Sequence, residues 1–173
     1  MIQIRAVSAD SWGSKAIRWG LGQAASHLAV YFENQGVLHS TLKGFGEMPA
    51  VDFDAHYRVV DSLAFAATAA ESLEIMRRMQ SRLNGAQYDR PAFVFFIWRA
   101  IMRKVAGVPF PGRNYWEQKG EVLCVEVLAA FCDAYNAVKG TTYLTSNAPW
   151  GMMSPQDCIT LLRQEVGHAN ANT

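Results

Sequence analysis

With 173 residues, the chain is long enough for one domain built on a single core. Half of it is hydrophobic and 12% is aromatic, which excludes an intrinsically disordered chain, and a formal net charge of +1 leaves no broad electrostatic footprint for nucleic acid or anionic lipid. Three cysteines, with Cys124 and Cys132 too far apart along one helix to bond each other, give no disulfide framework and point to a reducing compartment.

In chain order, MIQIRAVS alternates as a strand does, and DSWGSKAIRWGLGQ predicts a short helix or turn capped by Asp10 or Ser11. The opening residues carry neither the charged start nor the apolar block of a secretory signal, so a cytoplasmic protein, or one delivered without its own signal, is expected. SHLAVYF and GVLHST predict two strands of a hairpin joined by ENQG. The glycine-rich LKGFGEMPA predicts a loop, and HYRVVDSLAF a further strand that His56 begins after an acidic loop.

TAAESLEIMRRMQSRLNG then predicts an amphipathic helix with Leu73, Met76, Met79 and Leu83 on one face, closed by Asn84 and Gly85. AFVFFIWRAIMRKVAG predicts a second helix closed by Gly107, too short in its apolar run to span a bilayer. VPFPGRNYWEQKG predicts an ordered loop, and VLCVEVLAAFCDAYNAV a helix that starts near Gly120 or Glu121. SPQDCITLLRQEV predicts a last helix with Ser154 as N-cap and Pro155 in its first turn. HANANT predicts a flexible tail, which sets a single domain at 1–166 and a tail at 167–173. Strands gathered in the first third, with helices after them, predict an α+β domain in which a small antiparallel sheet packs with helices.

Two kinds of side chain in this pattern carry chemistry. A helix starting near Glu121 places Cys124 in its first turn, where unpaired backbone N–H groups favour a thiolate and offer donors to an oxyanion. Cys132 and Cys158 lack that position. A thiol nucleophile needs a base, and His27 and His39 lie on the adjacent predicted strands, where antiparallel pairing sets two imidazoles side by side. His56 and His168 read as solvated. The plain alternative is a buried free thiol and two satisfied histidines. A metal site made of the same three side chains is the weaker reading, because no C-x-x-C or H-x-x-x-H spacing accompanies them, and no cofactor is expected.

The order of these motifs (SHLAVYF, GVLHSTLKG, LNGAQYDRPAF, LCVEVLAAF and SPQDCITLL) resembles the circularly permuted papain-fold cysteine hydrolases related to NlpC-type peptidases, the YiiX-like group. In that group the His precedes the Cys, the strand motif reads roughly S-H-[VL]-[GA]-[IV] and the helix motif C-S-E-[LV]-[VI]. The resemblance runs from about Ser26 to about Leu162. It implies a permuted papain-like, NlpC-like fold with Cys124 as nucleophile, His27 as general base and His39 as the residue that orients it. Tyr88 matches a family tyrosine that contacts an oxyanion or the substrate, and Glu126 matches the motif Glu, in a structural role. Val125 stands where the family has a small hydroxyl residue, and Ala29 where it often has Gly.

The implied chemistry is hydrolysis or acyl transfer at an amide, thioester or ester of a peptide or other acyl-bearing substrate, such as a peptidoglycan-type peptide. Phage-associated or lysis-associated delivery would reconcile a cell-wall substrate with the missing signal. Phe110, Tyr115 and Trp116, together with NAPWGMM, are expected to wall the cleft. The rival reading is a catalytically silent module that kept the fold and lost the chemistry. Nucleic-acid binding is not expected, because Arg77, Arg78 and Arg82 read as the solvated face of a helix.

Overall fold

The computed structural model describes residues 1–109 and 121–171. The alternating stretch at the N-terminus forms strand β1 (Ile2–Ser8), whose Ile2, Ile4 and Ala6 are fully buried. Ser11 caps helix α1 (Trp12–Leu21) by accepting the Ser14 N–H, and Gly22 closes it in the left-handed region. Strands β2 (His27–Phe32) and β3 (Gly36–Thr41) form the expected hairpin, with Asn34 at positive φ in the turn.

The next segment departs from expectation. LKGFGEMPA is not a loop: Gly44–Met48 is strand β4, an edge strand where glycines cost the sheet little. Helix α2 (Ala50–His56) follows, so His56 ends a helix rather than beginning a strand. Both were hidden for the same reason. The strand is glycine-rich and the helix, seven residues long, buries only Phe53, so neither shows a hydrophobic period.

Strand β5 (Arg58–Phe65) completes an antiparallel sheet of order β4-β3-β2-β1-β5. Helix α3 (Ala69–Leu83) opens with a reciprocal capping box between Thr68 and Glu71. Its buried face is Ser72, Ile75, Met76 and Met79, and Leu73, expected on that face, is exposed. Strand β6 (Gln87–Tyr88), helix α4 (Arg90–Ala106, closed by Gly107), strand β7 (Glu121–Val122) and helix α5 (Val127–Lys139) follow. A single 3-10 turn at Trp150–Met152 leads to helix α6 (Pro155–Ala171), which runs on into the segment expected as a tail. The fold is α+β, a small antiparallel sheet packed against helices.

Period-two alternation explains how the sheet is covered. Leu28, Val30 and Phe32 face the main core, with Phe131, Leu128 and Ile159 from α5 and α6. The opposite face buries a smaller cluster of Val7, Ala29, Val37 and Phe53 under α2. His27 and His39 stand on this second face, as the strand period requires. β6 and β7 pair in parallel, and the Phe45 N–H reaches the Ala86 carbonyl at 3.1 Å, so β4 anchors this small ribbon.

That anchoring depends on Gly44, which sits at φ +103° where an added Cβ would lie 2.9 Å from the Ala86 carbonyl oxygen. Gly44→Ala is therefore expected to lose about 1–3 kcal/mol of stability. The check is a fall in the urea midpoint with an unchanged m-value.

Candidate active site

The β2–β3 ladder pairs Phe32 with Gly36, Tyr31 with Val37 and Val30 with Leu38, and there it stops. The strands form a fork beyond that point. The segment Val122–Cys124 reaches both arms of it. On one side the Ser40 hydroxyl donates to the Val122 carbonyl at 3.1 Å. On the other, the backbone N–H of Leu28 faces the Cys124 sulfur.

Cys124 does not sit in the first turn of a helix. Residues 121–122 are held as strand β7 against β6, and Glu126 folds back so that its carboxylate accepts the Leu123 N–H at 2.6 Å. The turn 124–126 intervenes and α5 begins at Val127. Val125 is buried in the main core, which accounts for an apolar residue there. The Glu126 carboxylate also packs against Gly151.

The two imidazoles meet. His27 Nε2 lies 3.1 Å from His39 Nδ1, with ring centroids 5.3 Å apart in an edge arrangement. Tyr57 stacks on His27 at 5.4 Å, and Phe53 meets the edge of the buried His39 at 5.6 Å. Tyr57 is a residue that sequence reasoning missed, because HYRVV reads as the start of a strand rather than as a helix end placing an aromatic ring over the histidines. His27, Tyr57, Tyr88 and Cys124 all line one cleft of about 420 Å³. Among the described residues no hydrogen bond joins Cys124 to either imidazole.

Burial governs the electrostatics. It drives His27 down to about 3, with the neighbouring His39 adding to the fall, and it drives His39 down to about 4. The expected lowering of the thiol is overturned. Burial pushes Cys124 up to about 11 and Glu126 adds to the rise, while the N–H groups of Leu28, Val125 and Cys124 itself pull the other way. Tyr57 and Tyr88 are raised too, by burial first and then by Cys124. At neutral pH the site therefore rests as an uncharged thiol beside uncharged imidazoles.

Other expectations fall elsewhere. Asn147 to Met152 of the NAPWGMM stretch wall a separate cavity of about 370 Å³ with Arg82 and Glu126, and only Met153 lines a small cavity shared with Cys124 and Tyr88. Phe110, Tyr115 and Trp116 lie outside the described residues. Cys132 and Cys158 are buried in the main core. Among the described residues no group of three or more His, Cys, Asp or Glu is placed to hold a metal ion. Comparisons with protein-family models, with curated proteins and with solved structures return no match.

The depressed imidazoles fix the sign of a pH dependence. An unfolded chain protonates both near the ordinary 6.5, while the folded chain resists until about 4 and about 3. Their contribution to stability is thus fully present above 6.5 and is lost as pH falls through that window. Urea midpoints measured from neutral to mildly acid pH should fall continuously, and His39→Asn should make that dependence shallower.

Proposed function

We propose that the protein is a cysteine-dependent hydrolase or acyl transferase of the permuted papain-like type, with Cys124 as nucleophile, His27 as base and His39 as the group that orients it. The observation that carries the reading is the 3.1 Å contact between His27 Nε2 and His39 Nδ1 on the wall of the cleft that also holds Cys124. A shared hydrogen bond needs one donor and one acceptor. If His27 Nε2 holds the proton and donates it to His39 Nδ1, the lone pair of His27 Nδ1 remains to receive the thiol proton.

The chemistry follows from an uncharged resting pair. As the sulfur attacks an acyl carbonyl, its proton passes to His27 Nδ1, and the imidazolium is held through Nε2–H by neutral His39. The carbonyl oxygen becomes an oxyanion, for which the backbone N–H groups around the turn 124–126 and the Tyr88 hydroxyl are the candidate donors. His27 returns the proton to the leaving group. Water, deprotonated by the same nitrogen, or another acceptor then releases the acyl group and restores the thiol. The substrate class is a peptide or other acyl-bearing molecule joined through an amide, thioester or ester.

The raised thiol and the absent Cys124–imidazole hydrogen bond favour a second reading, a binding module that retains the side chains without turnover. Turnover of activated esters and thioesters separates the two. The proposal predicts that Cys124→Ala abolishes it and that His27→Ala lowers kcat between about 10²- and 10⁴-fold. His39→Ala should lower kcat with little change in KM, since His39 acts through His27. Turnover that survives Cys124→Ala would remove the proposal.

A further inference from the structure

Helix α4 is apolar on two opposite sides. Ala92, Phe95, Phe96 and Ala100 face inward, while Val94, Trp98, Ile101 and Val105 form an exposed stripe at i, i+4, i+7 and i+11. That stripe covers about 17 Å of helix. Helix α1 packs beside it, crossing closely where Gly20 meets Ala100, and presents a stripe of its own in Trp12, Lys15 and Trp19. Trp12 is 85% exposed and Val105 71% exposed. The stripes are continuous through Lys104, whose ammonium donates to the Trp19 carbonyl and sits 4.9 Å from the Trp19 ring.

The charge on these two helices has one sign. α1 carries Lys15 and Arg18, and α4 carries Arg90, Arg99, Arg103 and Lys104, with no Asp or Glu on either. The near-zero net charge of the chain conceals this, because the acidic residues lie on other elements. Arg99 holds its guanidinium 5.4 Å from the Trp98 ring, so apolar and basic groups are interleaved.

We propose that the α1–α4 face docks the protein on the surface of an anionic lipid bilayer. Exposed tryptophans and aliphatic side chains, flanked by lysine and arginine, match the boundary between headgroups and acyl chains. Neither helix is long and apolar enough to cross a membrane, so the face lies on the bilayer rather than spanning it. A second copy of the chain is a poorer occupant, because an isologous contact would press two faces of the same positive sign against each other. The face also adjoins the cleft, whose wall includes Gly13 and Ile17 of α1 and Phe93 of α4. The docking proposal does not depend on Cys124 being reactive.

The test is sedimentation of the intact protein with vesicles of phosphatidylcholine alone and of phosphatidylcholine mixed with phosphatidylglycerol, at low and high salt. Binding is expected to the mixed vesicles only, weakened by salt. Lys15→Gln should weaken it roughly fivefold, and Trp98→Glu more than that, while Val51→Glu, at an exposed position on α2, should leave it unchanged. Brominated lipid should quench the tryptophan fluorescence of the wild-type protein, which reads the same contact without a variant. Failure to bind mixed vesicles, equal binding by Trp98→Glu, or a wild-type dimer that Trp98→Glu dissolves would each overturn the proposal.

Discussion

Everything at the candidate site depends on where β2 and β3 stop pairing. With the ladder closed at Val30 and Leu38, the residues before Val30 have no ladder partner on β3. A fully paired hairpin would satisfy those backbone groups internally and leave no room for a third segment. The fork admits Val122–Cys124 instead, held by the Ser40 hydroxyl on one arm and facing the Leu28 N–H on the other. The same opening lets the His27 and His39 rings turn toward each other on the face covered by α2.

The fork also sets the electrostatic state. A thiol and two imidazoles gathered under Phe53, Tyr57 and Tyr88 lose much of their water, and desolvation penalises every charged form. Here the uncharged forms are favoured, so the proposed chemistry moves its proton as the carbonyl is attacked. His39 cannot answer His27 with a full negative charge as a carboxylate would. In the proposed chemistry its value lies in fixing the ring and the tautomer, and the two rings share at most one added proton at ordinary pH.

Much of this was legible in the sequence because strand and helix periods are local. The alternation of SHLAVYF fixed which face His27 takes, and Ser154 announced the last helix through its side-chain cap. What was not legible depends on tertiary partners. β4 exists because β3 offers it an edge, and α2 because Phe53 has a cluster to enter, so neither leaves a periodic signal. The start of α5 was misread because VLCVEV is compatible with helix, yet pairing with β6 and the Glu126 carboxylate hold it extended and turned. The basic α1–α4 face was hidden by averaging, since a net charge sums over elements that the fold separates.

The measurement that bears most directly on the account is acyl trapping. The protein is treated with an activated acyl ester at neutral pH, and the labelled residue is mapped by mass spectrometry in the wild type and in His27→Ala. The account predicts an acyl adduct on Cys124 in the wild type, none on buried Cys132 or Cys158, and loss of the Cys124 adduct in His27→Ala. No adduct on Cys124, or one that forms equally well without His27, would contradict it.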